Sequence, residues 1–389
     1  MEVLPSTAIT AVLCFVASSV SSLGGVGGGG LFVPILSIVA GLNLKTASGY
    51  STLMVTGGSL ANVMWNLFPS DKVVGRASIN YDIALLSEPC MLLGVSVGVI
   101  CNIAFPNWLI IAFFSAFLTW TTVKTCGNGV DLWRQESHAS AEEGFAEESS
   151  CSLKEPLIDT TRKRRAGFPW GKIAALIAIW ASFFLLYFLR GNKYGKGLIP
   201  MEACGLTYWL VLALQFPLAV VFTAGMMMTK ENSQGPERGE EEGRASARLK
   251  MIVPLMALAA GFLGGVFGIG GGILISPFLL QLGIPPEVTS ATSSFMVFFS
   301  STMSALQYVL MGMEEVEVAL GFAAVCFVGS LAGLVVGKRA VRKYGRTSLI
   351  VFAVGAVLLL STVLMTSFEA VGIWRDFRAG KNMGFNLPC

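Results

Sequence analysis

Residues 24–30 read Gly-Gly-Val-Gly-Gly-Gly-Gly, and residues 268–272 read Gly-Ile-Gly-Gly-Gly. Each cluster interrupts a long apolar run, the first at residues 3–42 and the second at residues 251–283. An apolar helix needs roughly 20 residues to cross a bilayer, and a glycine cluster inside hydrocarbon is costly unless its freed backbone groups find partners. We therefore predict that each run is a helix broken at membrane depth.

The composition of the chain is typical of a membrane protein. Hydrophobic residues make up 54% of the 389 residues and charged residues only 13%, far from the balance of a soluble domain. The net charge of +3 is small and the basic residues occupy short loops, so we expect no nucleic-acid partner. A single histidine and eight scattered cysteines without a Cys-x-x-Cys pair predict neither a metal site nor a cofactor.

Eight other apolar runs are bounded by charge, Pro or Gly and predict full membrane spans. They lie near residues 48–68, 83–105, 107–125, 170–190, 204–228, 291–312, 317–336 and 347–367. Lys and Arg accumulate in three connections, which the positive-inside rule places in the cytosol: residues 127–166, 229–250 and 337–346. The expected domains are a first transmembrane repeat at 1–126, two linking helices at 167–228, a second repeat at 251–368 and a short tail at 369–389.

The glycine clusters belong to an internal repeat. A shift of 243 residues aligns Gly25 with Gly268, and a shift of 242 residues aligns Ser48 with Ser290. A Gly-x-x-x-Gly pattern then recurs in each copy, at Gly94 and Gly98 and again at Gly329 and Gly333. Self-similarity of this kind decides the architecture of a chain before any single motif does.

The charge rule relates the two copies. The last span of the first copy must end in the cytosol, whereas the last span of the second copy begins there, so we predict inverted topology. Residues 251–283 must then start and finish on the cytosolic side, which favours a helix followed by a half-helix. The expected fold is an all-α polytopic membrane protein. It has two inverted-topology repeats, each opening with a glycine-broken helix, re-entrant or discontinuous, plus two linking transmembrane helices.

Four stretches of the sequence resemble the TauE/SafE family of sulfite exporters, in particular its plant-like branch. They are Gly24 to Pro34 with the following Thr46 to Leu67, Tyr81 to Gly98, Leu206 to Gln215, and Gly261 to Leu310. The resemblance implies an integral, multi-pass carrier for small anions, in the plasma membrane or an endomembrane. Sulfite, sulfoacetate and related organosulfonates are the substrates associated with bacterial members.

The glycines are the leading candidates for binding an anionic substrate. Successive N–H groups near a helix N-terminus can hold an anion through hydrogen bonds and the positive end of the helix dipole. Two sets of glycines open apolar helices in this way: Gly27, Gly28, Gly29 and Gly30, and Gly270, Gly271 and Gly272. The alternative is close helix packing or a hinge, where glycine serves only because it has no side chain.

The span after each cluster carries small and polar residues at helical spacing. The further substrate-binding candidates are Ser51, Thr52 and Asn62 in the first copy and Thr292, Ser293, Ser294 and Gln307 in the second. Small-residue packing between membrane helices explains most of them equally well. Asn62 and Gln307 are the stronger candidates, because a buried amide needs partners.

Glu88 is the candidate for proton coupling, because it lies well inside an apolar span and just before Pro89. An acidic residue within a membrane span is by default a functional candidate. The alternative is an interfacial carboxylate that reaches cytosolic water, and the second copy has Ala323 at the aligned position.

Together these features predict a secondary transporter that moves small anions by alternating access between the repeats, with the bilayer, the anion and a coupling proton as its partners. An anion channel would share every one of these signals. A membrane scaffold would instead act through the loops at 127–166 and 229–250. No His, metal cluster or paired-Asp arrangement lies within the spans, so we expect no enzymatic activity.

Overall fold

The computed structural model describes residues 3–22, 25, 28–67, 79–142, 170–190, 206–232, 240–344, 348–378 and 384. Over these ranges the chain forms twelve α-helices and no strand. The helices are α1 (Val3–Ser21), α2 (Gly29–Ile38), α3 (Leu44–Leu67), α4 (Tyr81–Ala104), α5 (Asn107–Glu142), α6 (Trp170–Arg190), α7 (Leu206–Asn232), α8 (Glu240–Phe267), α9 (Gly272–Gln281), α10 (Pro286–Leu310), α11 (Val316–Tyr344) and α12 (Ser348–Arg378).

Both glycine clusters break their helices, as the sequence predicts. The first break separates α1 from α2 and the second separates α8 from α9. The second arms, α2 and α9, have ten residues each, which is about 15 Å of helix and half of a hydrocarbon core of roughly 30 Å. The residue before each arm has the left-handed backbone that suits glycine, with φ of 79° at Gly28 and 71° at Gly271. The predicted helix followed by a half-helix is confirmed.

The helices agree with an all-α polytopic membrane protein. Among the described residues, five helical segments are long and apolar enough, by length and composition, to cross a membrane: Tyr81–Ala104, Asn107–Asp131, Trp170–Leu189, Trp209–Met228 and Val316–Gly337.

Three helices continue past the ends of the predicted spans: α5 to Glu142, α8 back to Glu240 and α12 to Arg378. Parts of the predicted loops and tail are therefore helical. The hydropathy of the sequence does not detect these extensions, because a helix satisfies its own backbone and can continue into water with polar side chains.

The packing of the helices is symmetric between the two halves of the chain, in which α1–α5 correspond to α8–α12. In one set of contacts α1 packs on α11 and α8 packs on α4, while α3 packs on α11 and α10 packs on α4. In another, α2 packs on α12 and α9 on α5, and the equivalent helices α3 and α10, like α5 and α12, pack on each other. Every one of these pairings is reproduced when the halves are exchanged, as a two-fold relation between repeats requires. The inverted membrane topology itself stays a prediction.

The pairing of α4 with α8 depends on backbone contact. A methyl group on Gly98 would collide with the carbonyl oxygen of Phe262, and a methyl group on Gly261 would collide with that of Met91. The equivalent pair, α11 and α1, is equally close, because a methyl group on Gly333 would collide with the carbonyl oxygen of Ser19. Small residues that let backbones approach are the usual means of packing membrane helices.

We expect Gly98→Ala to lower the free energy of unfolding by about 1–3 kcal/mol, the usual cost of forcing an extra methyl group into a packed interface. Thermal unfolding of the purified protein in detergent measures this as a lower midpoint. Gly321→Ala is the matched control, since Gly321 also lies within a helix but a methyl group there meets nothing within 4 Å. Equal midpoints for the two variants would contradict the close packing of α4 on α8.

Candidate functional site

The two breaks lie against each other, although they belong to opposite ends of the sequence. A methyl group on Gly29 would lie 2.6 Å from the Cα of Ile269. A methyl group on Gly270 would lie 2.8 Å from Cγ1 of Val55 on α3 and 3.2 Å from Cγ1 of Val297 on α10. Because these residues are all buried, the start of α2 and the second break form one enclosed region with α3 and α10. We call this region the break junction.

The half-helices begin at the break junction without a side-chain cap. Gly28 and Gly271 are their N-cap residues, and neither offers a side chain to the N–H groups of the first turn. Gly29 and Gly30 form the first residues of α2, and Gly272 is the first residue of α9. Gly27 lies outside the described residues. Each helix N-terminus carries roughly half a positive charge from its aligned peptide dipoles.

Side-chain donors contact the C-terminal ends of the helices that precede the breaks, where carbonyl groups lack partners within the helix. The amide Nδ2 of Asn62 donates to the carbonyl of Ser22, just after α1, at 3.4 Å. At the end of α8, Nδ2 of Asn102 donates to the carbonyl of Val266 at 2.6 Å, and the hydroxyl of Tyr308 donates to that of Gly265 at 3.1 Å. The carbonyl ends of α1 and α8 are thus hydrogen-bonded by protein donors.

Serines of α10 hold the broken backbone in place. The hydroxyl of Ser300 donates to the carbonyl of Gly270 at 2.9 Å, and that of Ser293 donates to the carbonyl of Gly25 at 3.3 Å. Ser276 of α9 donates to the Ser293 hydroxyl at 3.0 Å. Each hydroxyl satisfies a buried acceptor that would otherwise cost about 1–3 kcal/mol. These side chains therefore have a structural role at the break junction.

Besides the glycines themselves, the structure places three of the predicted polar substrate-binding residues at a break. Asn62 and Ser293 bond the first break directly, and Ser294 joins them because its hydroxyl accepts from Nδ2 of Asn62 at 3.2 Å. The oxygen Oδ1 of Asn62 has no hydrogen-bond partner among the described residues. As the sequence predicts, Asn62 is a buried amide with partners. It lies at the first break, and its Oδ1 remains available as an acceptor.

The other candidates are buried but make different contacts. Thr52 donates to the carbonyl of Gly49 on its own helix, and Gln307 donates to the hydroxyl of Ser96 on α4 at 3.0 Å. The hydroxyl of Ser51 is buried and has no hydrogen-bond partner in the part of the chain that the structure describes. Thr292 accepts a hydrogen bond from the N–H of Asn80, at the start of α4.

Sequence reasoning missed Asn102 and Tyr308, although both hold the second break. Asn102 is a fully buried amide within a predicted span, so the argument that selected Asn62 and Gln307 would have found it. Tyr308 carried no comparable signal, because a tyrosine near the end of a membrane span is most simply explained as an interfacial anchor.

Glu88 is fully buried within α4. Neither of its carboxylate oxygens has a hydrogen-bond partner among the described residues. Glu88 lies about one turn before Met91, whose Cε would be 2.7 Å from a methyl group on Gly271. The carboxylate is therefore carried by the helix that passes the start of α9. By contrast, the other acidic residue of α4, Asp82, is exposed and pairs with Lys172 at 2.6 Å.

Comparison with known proteins gives extensive matches. A family model described as Sulfite exporter TauE/SafE matches residues 2–125 and 160–365. The chain is 52% identical over 392 residues to Sulfite exporter TauE/SafE family protein 5 of Arabidopsis thaliana, covering 97% of this chain and 86% of that protein. It is 53% identical over 408 residues to family protein 2 of the same plant, covering 100% and 89%. No solved structure matches the chain significantly.

A shorter match extends to bacteria. Over 106 residues the chain is 34% identical to the probable membrane transporter protein YunE of Bacillus subtilis strain 168, covering 27% of this chain and 37% of that protein.

We expect Ser300→Ala to loosen the second break, because it removes the hydroxyl that holds the carbonyl of Gly270. Hydrogen–deuterium exchange of peptides covering residues 268–272 should become about fivefold faster, the effect of losing roughly 1 kcal/mol of hydrogen bonding. Ser59→Ala is the matched control, since Ser59 is equally buried but bonds the carbonyl of Thr56 on its own helix. If both variants exchange alike, Ser300 does not hold the break.

Proposed function

We propose that this chain, which belongs to the sulfite exporter TauE/SafE family of membrane transporters, carries a small anion by way of the break junction. The observation that supports the proposal is a difference in hydrogen bonding between the carbonyl ends and the N–H ends of the helices at the breaks. The carbonyl ends of α1 and α8 are bonded by Asn62, Asn102 and Tyr308. The N–H ends of α2 and α9 begin at glycine N-caps, Gly28 and Gly271, which offer them no side chain. An anion is the ligand that matches two such N–H ends.

The charge of the region favours a ligand with one negative charge. Two helix N-termini together supply roughly one positive charge, so a single hydrogensulfite or sulfonate group is nearly balanced there, whereas the sulfite dianion is not. A second negative charge would need a co-transported cation, and a proton is the simplest one. Sulfite is the first substrate to test, because the related plant proteins are named as sulfite exporters. Sulfonates and other small organic anions are the next.

We infer that transport proceeds by alternating access between the two repeats. The break junction is buried in this structure, so an anion could enter or leave only if the helices around it move. The pairing of each half with the other, α1 on α11 and α8 on α4, would let such a movement open one side while it closes the other. Inverted repeats in other transporters work in this way around a fixed central site.

Glu88 is our candidate for the group that carries the coupling proton. An unpaired carboxylate is very costly in an apolar environment, so such a group gives up its proton only when water or a charged partner reaches it. Glu88 is buried on α4 without a described hydrogen-bond partner, next to the turn that contacts the start of α9. A proton bound there could offset the charge of the transported anion.

The direct test is flux of radiolabelled sulfite, sulfate and an organosulfonate into proteoliposomes that contain the purified protein. We expect saturable uptake of at least one of them. Gly28→Ala and Gly271→Ala should abolish it while the protein still inserts, because a methyl group would distort the left-handed backbone that starts each half-helix.

The controls for these variants are Gly41→Ala and Gly283→Ala. Both residues also have positive φ, of 68° and 76°, but a methyl group on either meets nothing within 4 Å. They therefore test backbone strain alone, away from the break junction. Absence of flux for every anion would refute the proposal, and so would normal flux in both break variants. A conductance far above carrier rates would instead identify a channel.

Proton coupling is tested with Glu88→Gln. We expect this variant to move anion down its gradient but to lose stimulation by a pH gradient, because glutamine cannot release a proton. Asp82→Asn is the control on the same helix, since Asp82 lies at the surface and its exposed ion pair with Lys172 contributes only about 0–1 kcal/mol. Unchanged pH dependence in Glu88→Gln would exclude the role.

A further inference from the structure

We propose that the two sides of the protein are closed by two equivalent contacts between the repeats, which we call the latches. The inner latch is the pair Thr292 and Asn80, and the outer latch is the pair Tyr50 and Glu315. This inference rests on the proposed alternating access. It adds the residues that must separate for each side to open.

The inner latch joins α10 of the second repeat to α4 of the first. The N–H of Asn80 donates to the hydroxyl oxygen of Thr292 at 2.9 Å. Asn80 is the N-cap of α4, and its own side chain accepts from the N–H of Ile83 at 3.3 Å. The contact therefore fixes the start of α4 against the early turns of α10.

The outer latch joins α3 of the first repeat to the start of α11 in the second. The hydroxyl of Tyr50 lies 3.3 Å from the carbonyl oxygen of Glu315 and 3.4 Å from that of Glu314, and it donates to both. Glu315 immediately precedes α11 and has a φ of 50°, the one positive value at a non-glycine residue in the described ranges. Such a backbone persists only where surrounding contacts hold it.

The two latches occupy the same positions in the two repeats. The shift of 242 residues that aligns Ser48 with Ser290 also places Tyr50 on Thr292. The shift of 235 residues that aligns Gly94 with Gly329 also places Asn80 on Glu315. With inverted repeats, two equivalent contacts lie at opposite faces of the membrane, and the charge rule puts the start of α4 on the cytosolic side.

The latches are connected to the breaks through the same turns of α3 and α10. A methyl group on Gly268 would collide with the carbonyl oxygen of Ser48, two residues before Tyr50. A methyl group on Gly25 would collide with that of Ser290, two residues before Thr292. Each break therefore contacts the turn that carries a latch residue of the other repeat, so a movement of the break would shift that turn. This is a contiguous physical route by which a bound anion could bias which side opens.

The latches use different chemical groups, so each can be removed without touching the other. Thr292→Val keeps the shape of the side chain but removes the oxygen that Asn80 bonds. Tyr50→Phe keeps the ring but removes the donor. Loss of one net hydrogen bond shifts a two-state population by about fivefold. Thr292→Val should therefore favour the state open to the cytosol, and Tyr50→Phe should favour the state open to the outside.

The test reads opening with a membrane-impermeant maleimide added to one face of sealed, oriented vesicles. Ser51→Cys and Ala291→Cys are the reporters, because both positions are buried here, adjoin a latch residue and have no side-chain hydrogen bond among the described residues. Each reporter protein is compared with the same variant lacking the reporter, which removes the signal of native cysteines. We expect Tyr50→Phe to raise outside labelling of Ser51→Cys about fivefold, and Thr292→Val to raise cytosolic labelling of Ala291→Cys by a similar factor.

Two further variants separate a latch from a general loss of stability. Thr292→Ser keeps the hydroxyl and should label like the unmodified protein. Thr302→Val removes a hydroxyl of α10 that bonds the carbonyl of Phe298 on its own helix, and it should not alter labelling. Increased labelling from both faces in either latch variant would overturn the proposal, as would equal effects of Thr292→Ser and Thr292→Val.

The labelling assay needs no substrate, so it can refute the latches without refuting anion transport, and the flux assay can do the opposite. One-sided labelling in a protein without anion flux would support the latches and refute anion transport. Anion flux together with equal labelling from both faces would support anion transport and refute the latches.

Discussion

The structure depends on one constraint, that backbone groups taken out of water must still be hydrogen-bonded. Each glycine break interrupts the internal ladder of a helix and leaves carbonyl groups at one end and N–H groups at the other. Side chains hydrogen-bond the carbonyl groups at the breaks. The donors are the amides of Asn62 and Asn102 and the hydroxyls of Tyr308, Ser293 and Ser300. The N-caps of α2 and α9, Gly28 and Gly271, offer no side chain to the N–H ends, and this difference is the basis of the anion binding that we propose.

Close backbone approach is the second use of glycine in this chain, and it ties the halves together. Gly98 and Gly261 bring α4 against α8, while Gly333 brings α11 against α1. In both cases a helix of one repeat packs on a helix of the other, so neither repeat has an independent core. A movement at one break would consequently involve helices of the opposite repeat. The latches at Tyr50 and Thr292 would make that coupling directional.

Much of this could be predicted from residues considered singly or in short windows. The broken helices, the half-length of α9, the repeat and the family all follow from apolar length, glycine and local similarity. The site was harder to predict. A buried amide needs partners, and this argument identifies Asn62 but applies equally to Asn102. The hydroxyls of Thr52 and Ser294 turned out to bond their own helices, which is the packing role that small residues in membrane helices usually have.

By itself the sequence determined the all-α membrane class, the position of both breaks and the existence of two related halves, because each of these is a local property of composition and spacing. Only the tertiary structure decided that the two breaks touch, which side chains satisfy their carbonyls, and that Tyr50 and Thr292 each contact the opposite repeat. Those contacts join residues far apart in the chain, and their geometry depends on how the helices cross. No window of sequence contains that information, since hydrogen bonds at about 3 Å are set by the packing of whole helices.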